Sequence, residues 1–69
     1  MARRSSEPDF IEALARGLDV LRAFEPRQPV LSLSDVAART DLARPTARRI
    51  LLTLSELGYV RGENGGFTL

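Results

Sequence analysis

The chain has 69 residues, of which 43% are hydrophobic and 28% are charged, and it contains no cysteine, histidine or tryptophan. A chain of this length supports one small domain, so a deep enclosed active site is not expected. Without cysteine and histidine, a disulfide framework, a thiolate metal site and the commonest proton shuttle are excluded. No apolar stretch approaches the roughly 20 residues of a membrane span. These features predict a cytoplasmic protein that needs no cofactor and works by surface recognition.

The formal net charge of +1 conceals an uneven distribution of charge along the chain. Residues 1–38 contain five arginines and six acids and sum to −1, whereas residues 39–61 contain five arginines and two acids and sum to +3. Glu63 contributes the remaining −1. A local basic excess is the electrostatic footprint of a phosphate-binding surface, although a solvated helix face produces the same pattern. The position of the arginines on the fold has to decide between the two.

The N-terminal part of the chain predicts an arm followed by a helix. Residues 1–8 lack apolar periodicity, which predicts a flexible arm. Asp9 is the expected N-cap of the first helix, and Glu12, three residues later, would complete a capping box. Glu12 and Arg16 are spaced to form an ion pair on the helix surface.

The first helix is apolar over an arc of about 220°, about twice the arc that an ordinary surface helix needs. A single small domain should not need two apolar helix faces. We therefore predict that the surplus face is a partner surface, with burial under the wing strands as the alternative. The residues predicted for this surface are Ala13, Gly17, Val20 and Phe24.

A proline-containing break separates the first helix from a shorter second one. Residues 25–29 contain two prolines, which end the first helix. Residues 30–33 are β-prone and alternate in polarity, which predicts a possible short edge strand. Ser34 is the expected cap of the second helix, which is predicted to extend from Asp35 to about Thr40.

The third helix has the clearest apolar periodicity in the chain. Residues 41–43 predict a tight turn before it, Pro45 is placed in its first turn, and Gly58 predicts a left-handed stop after it. The predicted inner face of this helix consists of Ala47, Ile50, Leu51, Leu54 and Leu57.

The C-terminal residues predict a β-hairpin. Residues 59–61 and 67–69 are β-prone and flank a glycine-rich turn that contains Asn64 and Gly65. Two helices joined by a three-residue turn and followed by a hairpin make a winged helix-turn-helix. The predicted fold class is therefore mainly α, with three helices and a small β-hairpin wing, and the domain covers residues 9–69.

The arginines of the third helix are predicted to lie away from its apolar side. With Ile50 on the core side, Arg48 and Arg49 fall on the opposite side and Arg44 on the flank. Arginine forks bind guanine edges or phosphates, and the N–H groups at a helix N-terminus bind phosphate oxygens. We therefore predict a surface for double-stranded DNA that includes residues of the wing. Its residues are Ser34, Arg44, Pro45, Thr46, Arg48, Arg49, Arg61 and Asn64.

Several of these residues have a purely structural explanation as well. Arg49 could form a surface ion pair with Asp41 or Glu56. Thr46 could satisfy the N-terminus of its own helix, and Asn64 could serve only as a turn residue with positive φ.

Other functions are considered beside DNA binding. A protein-interaction adaptor that uses the wide apolar helix and binds no nucleic acid is the alternative, and double-stranded RNA binding is more distant. Exposed Leu52 could contact a thymine methyl group or pack under the wing. No serine has a histidine or lysine to activate it and the carboxylates are scattered, so no enzyme activity is expected.

Four segments in order along the chain are specific in combination: ARGLDVLRAF at 15–24, LSDVAARTDL at 33–42, RPTARRILLTL at 44–54 and LGYV at 57–60. They resemble the N-terminal DNA-binding domain of IclR-type bacterial transcription regulators. The first segment, with the Phe-Ile-Glu that precedes it, is most similar to the branch that controls aromatic-acid catabolism, by the β-ketoadipate and protocatechuate routes.

The resemblance implies a helix-turn-helix from Leu33 to Leu52, with the third helix in the major groove and the hairpin as the wing. It implies pairing through the first helix on a pseudopalindromic operator. It also implies a linker helix and a C-terminal effector-binding domain, so the chain is expected to be truncated after the wing, with any small-molecule effector bound only in the missing domain. Two positions depart from the family pattern: Asp41, where glycine is common, and Ala47, where valine is usual.

Overall fold

Three helices and a hairpin follow one another along residues 5–69, which are the residues that the computed structural model describes. The elements are α1 (Glu12–Ala23), α2 (Leu33–Thr40), α3 (Arg44–Leu57), β1 (Arg61–Glu63) and β2 (Gly66–Thr68), and the two strands pair antiparallel. The predicted fold of three helices and a hairpin wing is confirmed. Of the predicted arm, residues 1–4 lie outside the described residues.

The start of α1 differs from the sequence prediction. The Phe10 N–H donates to the Glu7 carbonyl at 3.0 Å, which closes a separate turn before the helix. Helical hydrogen bonding begins at the Ile11 carbonyl, which accepts from the Ala15 N–H at 3.1 Å. Ile11 is the N-cap and supplies no side-chain capping bond. The predicted capping box at Asp9 is therefore wrong.

α2 begins at a capping box that the sequence prediction placed incorrectly. Ser32 Oγ accepts a hydrogen bond from the Asp35 N–H at 3.0 Å, and Asp35 Oδ2 accepts one from the Ser32 N–H at 3.2 Å. Leu33 packs against the core as the first helical residue, so the helix starts two residues earlier than predicted. The prediction that Ser34 caps this helix is wrong, because Ser34 lies inside the first turn and is exposed.

The turn between α2 and α3 agrees with the sequence prediction. Asp41 ends α2 with φ 59° and ψ 34°, a left-handed conformation that aspartate tolerates. Pro45 lies in the first turn of α3, and Gly58 ends the helix with φ 89°. α3 ends at Leu57, as the predicted stop at Gly58 requires.

The hydrophobic core lies where the three helices meet the hairpin. Of the predicted inner face of α3, Ala47, Leu51 and Leu54 are buried and Ile50 is half-buried. Leu57 is 64% exposed, so the prediction fails for this residue, which lies in the last turn at the open end of α3. The buried hydrophobic core consists of Val20, Phe24, Leu31, Val36, Ala37, Ala47, Leu51, Leu54 and Val60.

The wing is attached to the helical body through Leu31. The Leu31 N–H donates to the Phe67 carbonyl at 2.9 Å, and the Phe67 N–H donates to the Leu31 carbonyl at 2.8 Å. The edge strand predicted at residues 30–33 is reduced to this single bridge, because Ser32 and Leu33 already belong to the start of α2. Leu31 is fully buried, so the bridge also joins the wing to the core.

The hairpin turn consists of Asn64 and Gly65. Their φ angles of 50° and 79° are those of a type I′ turn, which needs positive φ at both central positions. Two residues are enough to reverse the chain, so the strands reach Glu63 and Gly66 and lie closer to the tip than predicted.

Candidate nucleic-acid interface

α3 has a buried side that fixes it to the domain and a basic side that faces solvent. Ala47 and Leu51 are fully buried, whereas Arg44, Arg48 and Arg49 are exposed. At about 100° per residue, Arg49 lies nearly opposite the buried stripe, and Arg48 lies about a quarter-turn from it. Arg48 was predicted to lie opposite the core, but it lies on the flank of the helix instead. All three guanidinium groups are nevertheless held on the surface of a helix that is anchored in the core.

The three arginines of α3 are available to bind an anion. Within residues 5–69, the guanidinium groups of Arg44, Arg48 and Arg49 form no ion pair or hydrogen bond. The alternative that Arg49 pairs with Asp41 or Glu56 is not observed. Guanidinium groups without a carboxylate partner can bind phosphate or guanine without first breaking an intramolecular contact.

Arg39 belongs to the same basic segment of the sequence but has a structural role. Its Nη1 donates to the Ala23 carbonyl at 3.0 Å and to Glu25 Oε2 at 3.3 Å, and its Nη2 donates to Gln28 Oε1. These bonds connect the end of α2 with the end of α1 and the loop that follows. The sequence analysis missed this role because the acceptors lie 11 to 16 residues away along the chain.

The wing residues predicted for DNA binding lie at the start of β1 and in the turn that follows it. Arg61 is exposed, its Nε lies 3.6 Å from Glu63 Oε1, and its Nη1 donates to the Leu69 carbonyl at 3.2 Å. An exposed ion pair of this kind is worth about 0–1 kcal/mol, so phosphate can replace Glu63 at little cost. Asn64 is exposed at the tip of the hairpin.

The helix N-termini supply the remaining predicted residues. Ser34 is exposed in the first turn of α2, and Pro45 is exposed in the first turn of α3. Thr46 is half-buried, and its hydroxyl forms no hydrogen bond within the described part of the chain, so the alternative that it satisfies its own helix end is not observed. No side chain of the N-cap residue occupies the N-terminus of α3, which leaves its first N–H groups open to an acceptor.

The predicted dimer residues of α1 divide between two environments. Val20 is fully buried and Phe24 is 8% exposed, and both belong to the core of the single chain. The prediction that these two residues contact a partner is wrong, because α2 and α3 pack on α1 and its inner side is used within the chain. Ala13 and Gly17 instead line a surface groove.

This groove lies between α1 and α3 and has a volume of about 590 Å³. Its lining includes Leu14, Leu18, Leu57 and Tyr59, which are between 50% and 64% exposed. Arg49 also lines the groove, so the basic side of α3 borders it. The second apolar face predicted for the first helix is thus present. It is formed by Leu14 and Leu18, not by Val20 and Phe24.

Two other kinds of site were also considered for the described part of the chain. Over residues 5–69, no helix has the length and apolar character needed to cross a bilayer. Nor do three or more acidic residues converge there in an arrangement that could hold a metal ion. The basic side of α3, the wing and the groove are therefore the features from which a function has to be argued.

The sequence matches the model of the IclR helix-turn-helix domain over residues 13–63. It is 38% identical over 65 residues to the Pca regulon regulatory protein of Pseudomonas putida, a match that covers 94% of this chain and 22% of that protein.

Two solved structures are similar in fold and sequence. The IclR family transcriptional regulator from Brucella abortus is 42% identical with a TM-score of 0.87, and the match covers 91% of this chain and 25% of that chain. An IclR homolog from Microbacterium hydrocarbonoxydans, complexed with 4-hydroxybenzoate, is 31% identical with a TM-score of 0.76. This match covers 83% of this chain and 24% of that chain. The chain thus spans 22% to 25% of the length of these proteins. The chain belongs to the IclR family, of which it forms a helix-turn-helix domain, and the proteins that it matches are transcriptional regulators.

Proposed function

We propose that this domain binds double-stranded operator DNA through α3 and the wing, as part of a bacterial regulator of aromatic-compound catabolism that acts at the nucleoid in the cytoplasm. The observation that carries the proposal is the set of exposed guanidinium groups at Arg44, Arg48 and Arg49, which have no partner within residues 5–69. They project from a helix whose other side is fixed in the core. A major groove about 12 Å wide admits such a helix.

The proposed contacts divide into base-reading and phosphate-binding groups. Arg48 and Arg49 project from the first two turns of α3, where a recognition helix meets base edges. Arg44 and the open N–H groups of the same helix end suit a phosphate, as do the N-terminal turn of α2 at Ser34 and the wing at Arg61. Phosphate contacts position the domain on the duplex, and base contacts give it sequence preference.

We propose that two copies pair through the solvent-facing side of α1, so that the pair reads a pseudopalindromic operator. Leu14 and Leu18 are one helical turn apart and are 57% and 50% exposed. Ala13 and Gly17 lie beside them, and small side chains allow a partner helix to approach closely. Within residues 5–69, and apart from the adjacent backbone of its own helix, an added Cβ at Gly17 would meet no atom within 4 Å, so the space beside it is open to a partner.

Aromatic-compound control is proposed from the similar proteins. One is named as the regulator of the Pca regulon, and another is complexed with 4-hydroxybenzoate. Both are four to five times longer than the span that matches this chain, which covers 22% and 24% of them. We therefore place effector binding in the regulator outside the matched region, and operator reading inside it.

The proposal is tested by titrating the purified domain against a fluorescent random-sequence duplex at salt concentrations between about 50 and 200 mM. A DNA-binding domain should bind at low salt and lose affinity steeply as salt rises, because phosphate contacts release counterions. Selection from a random pool then gives the preferred sequence. Absence of binding at the lowest salt would contradict the proposal and favour the adaptor that uses the apolar groove for a protein partner.

A further inference from the structure

Leu52 is a partly exposed apolar residue on the outer side of α3. It is 45% exposed, whereas Leu51 is fully buried and Leu54 is 9% exposed. It is neither one of the residues packed against the core nor part of the lining of the groove between α1 and α3. Neither the core cluster nor the groove therefore accounts for an apolar side chain at this position.

The other exposed large apolar residues of the described chain have a different setting. Leu14, Leu18, Leu57 and Tyr59 line the groove, and Phe10, Ile11 and Leu69 lie before α1 or at the end of the chain. Leu52 alone among these eight lies on the side of α3 that carries the arginines.

The neighbours of Leu52 are charged. Arg48 and Arg49 precede it by four and three residues, and Glu56 follows it by four, so all three adjoin it on the helix surface. All three are exposed. Protein partners use contiguous apolar patches of a few hundred Å². One leucine bordered by three charged side chains does not form such a patch. It does suit the major groove of DNA, which offers phosphates, polar base edges and single methyl groups.

We propose that Leu52 recognises a thymine by packing against its C5 methyl group in the major groove, an inference that rests on the proposed DNA binding by α3. Thymine is the base that presents a methyl group there, whereas cytosine presents an amino group that leucine cannot accept from. Leu52 lies four residues beyond Arg48, about 6 Å along the helix axis at 1.5 Å per residue, so the thymine should lie in the same half-site as the bases that Arg48 meets.

The test combines Leu52→Ala with replacement of thymine by deoxyuridine, which removes only the methyl group. Duplexes are first selected from a random pool with the wild-type domain, and each thymine of the selected site is then replaced in turn. At one position in each half-site the replacement should weaken wild-type binding about fourfold, the value of one buried methyl group. Leu52→Ala should bind the thymine and deoxyuridine duplexes equally at that position, and Leu52→Met should keep the preference.

Leu57→Ala is the matched control, because Leu57 is an exposed leucine of the same helix that lines the groove. It should retain the wild-type ratio between thymine and deoxyuridine, even if its overall affinity changes. The inference is overturned if no thymine of the selected site is sensitive, or if Leu52→Ala keeps the full ratio. Failure of the wild type to bind any duplex at low salt is a separate result, which overturns the proposed function and this inference with it.

Discussion

The guanidinium group of Arg39 donates a hydrogen bond from Nη1 to the backbone carbonyl of Ala23, at 3.0 Å, and so joins α2 to the last residue of α1. The carbonyls at the end of a helix have no partner within the helix, and a cationic donor is well suited to them. The same side chain contacts Glu25 and Gln28 in the following loop. α1, which we propose to pair, is thereby connected to the helix-turn-helix, which we propose to read DNA.

Arg39→Ala should lower the free energy of unfolding by about 1–2 kcal/mol, because three acceptors lose a charged donor at a site that is only partly exposed. Urea denaturation followed by circular dichroism measures this change. Arg27→Ala is the control, since Arg27 is exposed and forms no ion pair within residues 5–69. Equal effects of the two substitutions would show that the contacts of Arg39 do not stabilise the fold.

Ser32→Ala should lower the free energy of unfolding by about 1 kcal/mol, because it removes the side-chain acceptor of the capping box. Ser34→Ala, two residues later, should change it by less than about 0.5 kcal/mol. Thermal or urea denaturation of the two variants compares a serine that caps α2 with one that does not. A larger loss for Ser34→Ala would contradict the observed helix start.

Gly66→Ala should detach the wing from the helical body. A Cβ at Gly66 would lie 2.6 Å from the Leu31 carbonyl oxygen, so the bridge between Leu31 and Phe67 would have to open. We expect a loss of about 1–3 kcal/mol in the free energy of unfolding, typical of forced overpacking. Gly62→Ala is the matched control on the other strand, where the nearest atom is 3.9 Å away. Amide exchange at Phe67 should rise in Gly66→Ala alone, and equal exchange in both variants would contradict the account.

Gly17→Gln should separate pairing from folding. Apart from the adjacent helix backbone, the added Cβ meets no atom of residues 5–69 within 4 Å. Glutamine favours a helix over glycine by about 0.5–1 kcal/mol, so the folded chain should become slightly more stable. Sedimentation with and without a selected duplex should show weaker pairing than for the wild type. Unchanged pairing in both conditions would exclude this side of α1 as the interface. Val20→Asp is unsuitable for this purpose, because Val20 is fully buried and its replacement would disrupt the core.

The elements that local residues determine could be predicted from the sequence. The spacing of Ala47, Leu51 and Leu54 indicated α3, and the left-handed positions at Asp41, Gly58 and Gly65 indicated where the chain turns. The first residue of each helix was harder to predict, because several residues that can cap a helix lie within a few positions of one another. The choice of Ser32 over Ser34 depends on Leu33 packing against the core, which is a tertiary contact.

The candidate site was predictable to a similar extent. The exposure of Arg44, Arg48 and Arg49 followed from their places on a strongly periodic helix. The role of Arg39 did not, because its partners are distant in sequence. Whether Val20 or Leu18 faces outward from α1 depends on where α2 and α3 pack against it. The apolar arc of α1 is too wide for the sequence to decide between the two residues.

The double variant Arg48→Ala/Arg49→Ala shows whether α3 reads DNA with its arginines. Its affinity for the selected duplex and the salt dependence of that affinity are measured by fluorescence anisotropy. Arg22→Ala/Arg27→Ala is the control, since it removes the same charge from exposed residues outside the proposed surface. At about 1–3 kcal/mol for each arginine, the α3 variant should lose at least about 30-fold in affinity. Its salt slope should stay close to that of the wild type, because both residues are proposed to read bases and the proposed phosphate contacts of Arg44 and Arg61 remain. The control should bind nearly as the wild type does. Wild-type affinity in Arg48→Ala/Arg49→Ala would contradict base reading by these arginines.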